Sequence, residues 1–240
     1  MKKPSLKKLH SSLENHSKSR FSEIILGGQD GLVNVLGVIL GVAAATQEPR
    51  IIMAAGLAAT FAESISMGAV AYTSKLAESD YYYSELAREK REIKEVPEIE
   101  TQEIRDIYRQ KGFEGELLEK VVAVITSNEK VWLETMMRDE LELSPVEKNH
   151  PISAAFIVGF SALFGSLVPL LPFVFLTVQT GIWVSLIVSA ITLFLVGAIK
   201  AKLTIGNWGK SGVEMAIIGI VSALAGYGVG LLFSAPAGSV

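Results

Sequence analysis

The sequence predicts an all-α, multi-pass membrane protein with five transmembrane helices and a helical, acidic domain inserted between helices two and three. Three observations predict this fold class. The chain of 240 residues is 50% apolar and 20% charged, below the roughly 25% charge of soluble domains. No charged residue occurs from Ile152 to Ile199 or from Met215 to Val240. Charge gathers instead in residues 75–150, where acidic residues outnumber basic ones.

The composition excludes several classes of function. There is no cysteine, which excludes disulfides, thiolate catalysis and cysteine metal sites. The three histidines, His10, His16 and His150, are too few for a histidine-rich metal site. A net charge of −3 is too small to indicate a nucleic-acid partner. Since the sequence also contains no phosphate-binding loop and no Ser/His/Asp set, we expect neither an enzyme nor an ATP-driven pump.

The first part of the chain predicts a basic tail and two helices. Residues 1–20 are basic and contain no apolar stretch of the kind found in signal peptides. Helix one is expected at Phe21–Ala45, and residues 21–74 hold the membrane parts of helices one and two. Helix two begins near Ile51 and meets no proline before Pro97. At about 1.5 Å per residue it is too long to end at the membrane, so we expect it to project into the cytoplasm.

The remaining elements are also helices. Within the predicted cytoplasmic domain, residues 75–150, three short helices are expected, at Ile99–Lys111, Glu114–Ser127 and Lys130–Leu141. Residues 151–240 supply the last three membrane helices, which Pro169, Pro172 and Gly181 separate. We expect them at Ser153–Leu170, Ile182–Lys200 and Ser211–Phe233.

The distribution of Lys and Arg predicts the orientation. Basic residues concentrate in the N-terminal tail and in the loop between helices four and five, and the other loops and the C-terminal tail are poor in them. The positive-inside rule places the N-terminus and the acidic domain in the cytoplasm and the C-terminus outside. The basic residues on which this rests are Lys2, Lys3, Lys7, Lys8, Lys18, Arg20, Lys200, Lys202 and Lys210.

Two carboxylates fall within the predicted membrane helices. A charged side chain in hydrocarbon costs several kcal/mol, so Asp30 and Glu63 are candidates for an ion pathway. Met67 follows Glu63 at i+4 on the same helical face. A carboxylate beside a thioether suits a first-row transition ion such as Fe²⁺ better than Mg²⁺ or Ca²⁺. The structural alternatives are an interfacial Asp30 that reaches water and a Met67 that only packs.

The acidic domain contains a second set of candidate ligands. Glu85, Glu89 and Glu92 share one face of helix two, where like charges repel. The alternative is a solvated face neutralised by the basic residues at 88, 90, 91 and 94. After Pro97, further Glu and Met residues follow on two other helices, so three helices joined by short turns could form a cage of carboxylates and thioethers. These residues are Glu100, Glu103, Met136, Met137 and Glu140.

A di-iron oxidase is the competing interpretation of a carboxylate bundle. Such a site needs Glu-x-x-His on two helices, and residues 75–149 contain no histidine. Oxidase chemistry is therefore not predicted.

At these residues the chain resembles the vacuolar iron transporter family. The resemblance covers about residues 20–233, in order along the chain. The matching stretches are Gly-Gly-Gln-Asp-Gly-Leu-Val at 27–33, Glu-Ser-Ile-Ser-Met-Gly at 63–68, Glu-Leu-Ala-Arg-Glu-Lys-Arg-Glu-Ile at 85–93, Val-Pro-Glu-Ile-Glu-Thr-Gln-Glu at 96–103, Trp-Leu-Glu-Thr-Met-Met-Arg-Asp-Glu-Leu at 132–141 and Leu-Val-Pro-Leu-Leu-Pro at 167–172.

The resemblance implies a homodimer that exchanges cytoplasmic Fe²⁺ for protons. It assigns the ion path to Asp30 and Met67. It assigns metal binding in the cytoplasm to Glu89, Glu92, Glu100 and Glu103, together with the Met136/Met137 and Glu140 stretch. Plant-type members have a pathway Glu where this chain has Ala59. We expect Glu63, one turn further along helix two, to replace it.

We therefore expect Fe²⁺ export from the cytoplasm by proton antiport, with Mn²⁺ or another divalent first-row ion as a second cargo. No permanently bound cofactor is expected, and the partners are the lipid bilayer, metal ions, protons and a second copy of the chain. The membrane would be the cell membrane in a microbe and the vacuolar membrane in a eukaryote. The alternative is a membrane-tethered metal buffer or sensor that transports nothing.

Overall fold

A computed structural model describes the backbone of residues 6–146, 150–204 and 206–234, and the side chains from residue 20 onward. Within these residues every element is helical, as predicted, and there is no strand. The elements are α1 (Leu6–Thr46), α2 (Pro49–Glu95), α3 (Pro97–Gln110), α4 (Gly115–Thr126), α5 (Glu129–Thr135), a π-helix (Met136–Glu140), α6 (His150–Phe175), α7 (Val178–Leu203) and α8 (Trp208–Leu232).

The described chain contains five helices that are long and apolar enough to cross a membrane, in agreement with the five predicted crossings. They are Arg20–Thr46, Pro49–Glu95, His150–Phe175, Val178–Leu203 and Trp208–Leu232. The chain divides into two compact units: a membrane-helix unit, Met1–Tyr72 with Ile152–Val240, and an inserted unit, Thr73–Pro151. The prediction that helix two continues without a break to Pro97 is confirmed, because α2 ends at Glu95.

Small residues let the helices of the membrane-helix unit approach closely. A Cβ atom added to Gly27 of α1 would lie 2.2 Å from the carbonyl oxygen of Val158 in α6. One added to Gly230 of α8 would lie 2.0 Å from the carbonyl oxygen of Gly41 in α1. These glycines therefore serve contacts between helices of one chain. The apolar core beside them is formed mainly by α1, with Ile39 fully buried, and includes Leu170 of α6.

Several predicted element boundaries are wrong; α7, for example, begins at Val178 and not at Ile182. The helix predicted to end at Leu170 continues as α6 through Pro169 and Pro172 to Phe175. Proline removes a backbone donor, yet membrane helices tolerate it where neighbouring side chains satisfy freed polar groups. The buried Ser185 hydroxyl of α7 also contacts this segment, where it donates to the Pro169 carbonyl over 2.7 Å.

Two further corrections concern the N-terminal tail and the last helix of the inserted unit. The basic tail is helical from Leu6, where α1 begins. The single helix predicted at Lys130–Leu141 is divided into α5 and a π-helix. The predictions for the remaining parts of the N- and C-terminal tails lie outside the described residues.

The inserted unit has an apolar core of its own. Pro97 occupies the first turn of α3, where its missing N–H costs nothing. Gly112, with φ of 91°, reverses the chain between α3 and α4. The Asn128 side chain caps α5 by accepting from two backbone N–H groups. These turns bring apolar residues of every helix together: Ile93, Ile104, Leu118, Val122, Ile125, Trp132 and Met136.

Candidate metal centre

The two carboxylates predicted for the ion pathway meet between α1 and α2. Glu63 of α2 lies close to Asp30 and Asn34, both on α1, so that the three side chains interact. The Asn34 amide nitrogen also donates to Asp30 Oδ2 over 3.4 Å. Two carboxylates and one carboxamide thus share a site within helices long and apolar enough to span a membrane. Oxygen atoms of this kind can bind a divalent cation or hold a proton.

The surroundings of Ala59 and Glu63 are consistent with a carboxylate at position 63 and none at position 59. Ala59 packs against the apolar core of the membrane-helix unit, where a carboxylate would lose hydration without a partner. One turn further along α2, Glu63 is only half-buried and faces Asp30. Met67, the next turn, is also half-buried. The structure brings Glu63 to Asp30, and the ligand role of Met67 stays a prediction.

In the inserted unit the seven predicted ligands lie on three elements. Glu89 and Glu92 are on α2, and Glu100 and Glu103 are on α3. The π-helix supplies the other three, Met136, Met137 and Glu140. The turn at Pro97 places the two acidic pairs on consecutive helices.

Two of the glutamates are buried with one oxygen unpartnered. Glu89 is 2% exposed and Glu100 is 4% exposed. The Oε2 atoms of both make no hydrogen bond within the described chain. A buried carboxylate oxygen without a donor is costly, and a cation would satisfy it.

The negative charges interact across the helices. Burial raises the pKa of the Glu100 carboxyl to about 7, and the charge of Glu103 and then Glu89 adds to the rise. Desolvation followed by the charges of Glu103 and Glu89 also raises the pKa of Glu140 to about 7, although that residue retains exposed surface. Five glutamates therefore form one electrostatic cluster, which we call the carboxylate cluster: Glu89, Glu92, Glu100, Glu103 and Glu140.

The carboxylate cluster is not a ready-made cage. Among the described residues, no three His, Asp or Glu side chains are placed so that they could together hold a metal ion. Arg88 contacts the same face of α2, with its Nη2 2.9 Å from Glu89 Oε1 and 2.8 Å from Glu85 Oε2. Binding by the cluster therefore requires its side chains to move closer together.

The two methionines occupy different surroundings. Met136 is fully buried and belongs to the apolar core of the inserted unit with Trp132 and Ile104. Met137 is 3% exposed but lies outside that core. Packing alone accounts for Met136, so Met137 is the better candidate for a thioether ligand.

A backbone hydrogen bond and an ion pair hold the π-helix in place. The Leu141 N–H donates to the Met136 carbonyl over 3.2 Å, which is the wide spacing of a π-turn. Asp139 forms an ion pair with Lys111 at the C-terminal end of α3. Single π-turns are frequent at functional sites. This one sets where Met137 and Glu140 stand relative to α3.

Sequence reasoning missed the roles of two polar residues of these sites, Asn34 and Arg88. Asn34 gave no signal because an uncharged side chain does not interrupt an apolar run. Arg88 was considered only as one of several neutralising bases. Glu23 of α1 is buried as well, at 7% exposure, and lies seven residues before Asp30, on the same helical face.

Comparison with known proteins decides the family. The VIT family profile matches residues 21–231, which is most of the chain and includes both candidate sites. The chain belongs to the VIT family. As a VIT family member with five candidate spans, it is a multi-pass membrane protein.

Three of the VIT relatives come from two plants and a parasite. Vacuolar iron transporter 1 of Oryza sativa subsp. japonica is 36% identical over 208 residues, covering 86% of this chain and 82% of the rice protein. Vacuolar iron transporter 1 of Arabidopsis thaliana is 31% identical, covering 90% of this chain and 89% of the plant protein. The vacuolar iron transporter of Plasmodium falciparum (isolate 3D7) is 31% identical, covering 91% of this chain and 85% of the parasite protein.

Proposed function

We propose that this VIT family member transports Fe²⁺ out of the cytoplasm in exchange for protons. The observation that supports this most directly is the meeting of Asp30 and Glu63 on two helices that can span a membrane. Carboxylates in membrane-spanning helices carry a free-energy cost and typically mark an ion or proton path. The relatives' names, vacuolar iron transporters, supply the cargo.

Competition between a metal ion and protons for the same carboxylates gives antiport its physical basis. When Fe²⁺ is bound, its charge neutralises Asp30 and Glu63, and when the ion leaves, protons can take its place. Either cation lowers the cost of placing the two acids in an apolar surrounding. A state with neither cation is disfavoured, so movement of one ion is coupled to movement of the other.

The inserted unit would capture the ion in the cytoplasm. The buried, unpartnered oxygens of Glu89 and Glu100 support this step, and the charge of the carboxylate cluster attracts divalent cations. Carboxylates with the thioether of Met137 favour a first-row transition ion, with Mn²⁺ as a second cargo beside Fe²⁺. The ion is cargo in both sites, and no resident cofactor is proposed.

The orientation and assembly follow from charge and from the family. We place the N-terminus and the inserted unit in the cytoplasm and the C-terminus outside, because basic residues concentrate in the tail and at the adjoining ends of α7 and α8 and the positive-inside rule puts such regions in the cytoplasm. We propose a homodimer, as the family resemblance implies. The membrane is the cell membrane in a microbe or the vacuolar membrane in a eukaryote.

The alternative function is a membrane-tethered buffer or sensor that binds metal ions and moves none. The carboxylate cluster alone would be sufficient for it. It ranks second because it gives Asp30 and Glu63 no role in the membrane-helix unit.

Flux into liposomes separates the two functions. Purified protein is reconstituted in liposomes with an acidic lumen, and Fe²⁺ is added outside under anaerobic conditions. A transporter accumulates Fe²⁺, makes the lumen more alkaline, and stops when a protonophore collapses the pH gradient. A buffer binds Fe²⁺ to saturation whether or not the gradient is present, and that result would overturn the proposal.

A further inference from the structure

Arg88 lies at the centre of the acidic face of α2. Its Nη2 atom is 2.9 Å from Glu89 Oε1 and 2.8 Å from Glu85 Oε2. Its Nε atom is 3.9 Å from Glu92 Oε2, an ionic contact beyond hydrogen-bonding distance. Arg88 therefore contacts two members of the carboxylate cluster and one glutamate outside it.

The contacts leave one oxygen of Glu89 available. Glu89 accepts the Arg88 hydrogen bond through Oε1, and its Oε2 has no partner within the described chain. Glu100, likewise buried, has its own Oε2 unpartnered. A carboxylate fixed through one oxygen by a second residue is the usual arrangement of an orientated metal ligand.

Glu85 holds Arg88 from the other side. Its side chain is 18% exposed, whereas the Arg88 side chain is 41% exposed and so is not enclosed by the cluster. Arg88 thus has an anchor outside the carboxylate cluster, and it does not need to leave Glu89 when Glu89 binds through Oε2. Its charge also acts on Glu140, where it lowers the pKa against the raising effect of the glutamates.

We propose that Arg88 is a positioning residue of the carboxylate cluster: held by Glu85, it orients Glu89 and offsets the repulsion among the glutamates, so that a divalent cation binds more tightly. This inference rests on the proposed capture of metal ions by the inserted unit. The opposite role would be a competitor that occupies the ligands and must be displaced. The two roles predict opposite effects of neutralising Arg88.

The test is calorimetric titration of the full-length, detergent-solubilised protein with Mn²⁺. Arg88→Gln is expected to weaken binding by roughly 10–100-fold, the usual effect of losing a residue that orients a ligand. Arg88→Lys, which keeps the charge and one donor, should recover part of that loss. Glu85→Gln, which loosens Arg88 and leaves Glu89 untouched, should give an intermediate loss. The matched control is Lys90→Gln, which removes an exposed cation of the same helix and should leave affinity unchanged.

The outcomes separate this inference from the proposed function. Unchanged or tighter Mn²⁺ binding by Arg88→Gln, with wild-type binding intact, would overturn the positioning role alone. Absence of binding by both wild type and Lys90→Gln would overturn the capture step, and the role of Arg88 with it. Thermal melting of each variant identifies a loss of fold. If Arg88→Gln does not fold, Arg88→Lys tests the inference: Mn²⁺ affinity restored by the lysine supports the positioning role, and affinity that is not restored contradicts it.

Discussion

The Asn34 carboxamide donates a hydrogen bond to Asp30 over 3.4 Å from one turn further along α1. Both residues also lie close to Glu63 on α2. Asn34 thereby ties together the two acids to which we assign the ion path. It is uncharged, so it holds them without neutralising either.

Replacing Asn34 by Leu should reduce Fe²⁺ flux in liposomes by roughly tenfold, because a hydrogen bond to a charged group contributes about 1.5–3 kcal/mol. The matched control is Ser64→Ala. The Ser64 hydroxyl lies beside Glu63 in the chain but donates to the Thr60 carbonyl of its own helix over 2.6 Å. Equal loss of flux in both variants would mean that general polarity, and not the contact with Asp30, is what matters.

Substitutions of Met136 and Met137 should distinguish a methionine that packs from one that binds the metal ion. Met137→Leu removes a thioether at constant size, and we expect Mn²⁺ or Fe²⁺ affinity to fall on the order of tenfold, about 1.4 kcal/mol, with the melting temperature retained. Met136→Leu should change neither quantity much, whereas Met136→Ala should cost about 2–5 kcal/mol of stability. Loss of affinity in Met136→Leu but not in Met137→Leu would reverse the assignment.

The stability of the metal-free protein should depend on pH in the direction opposite to most acidic sites. In chelator, folded Glu100 binds its proton up to a pKa of about 7, against an ordinary value of 4.5 when unfolded. The folded state therefore holds more protons between these values, and stability present below pH 4.5 is lost as the pH rises through 7. Melting followed by Trp fluorescence should show a lower melting temperature at pH 8 than at pH 5.

Glu100→Gln tests the origin of that pH dependence. The variant should melt higher than wild type at pH 8, since it removes a buried charge among like charges, and it should bind Mn²⁺ more weakly. Glu119→Gln is a suitable control, because Glu119 is exposed and pairs with Arg105 outside the carboxylate cluster. A wild type that is more stable at pH 8 than at pH 5 in chelator would contradict the account.

Alanine substitutions at the neighbouring glycines Gly27 and Gly28 should affect stability differently. A Cβ at Gly27 would lie 2.2 Å from the Val158 carbonyl oxygen, whereas one at Gly28 would lie 3.6 Å from that of Ser161. Gly27→Ala should therefore destabilise the protein by about 1–3 kcal/mol, as overpacking does, and Gly28→Ala should be tolerated. Similar melting temperatures for the two variants in detergent would refute the close contact between α1 and α6.

The five membrane helices could be predicted because hydrocarbon imposes a strong constraint on sequence. A charge-free run such as Ile152–Ile199 must form helices, because its backbone hydrogen bonds have to be satisfied within the membrane. Helix ends were less predictable. Proline is disfavoured inside helices, but α6 continues through Pro169 and Pro172 to Phe175, as membrane helices allow.

The candidate sites were predictable in their charged residues and not in their supporting ones. Asp30 and Glu63 stood out because charge is rare in apolar runs, and their meeting depends on how α1 packs beside α2, which spacing along one helix does not specify. The different surroundings of Met136 and Met137 depend on a π-turn, whose wide hydrogen bond leaves no pattern in the sequence. Arg88 became distinct from Lys90 only through its contacts with Glu85 and Glu89.

The central claim is that Asp30 and Glu63 together form the path by which Fe²⁺ crosses the membrane. The most direct test is Fe²⁺ flux into acidic-lumen liposomes with Asp30→Asn and Glu63→Gln, measured beside Mn²⁺ binding to the same preparations. The account predicts flux at the level of protein-free liposomes in both variants, with binding by the inserted unit retained. Gradient-driven flux that survives both substitutions would contradict it.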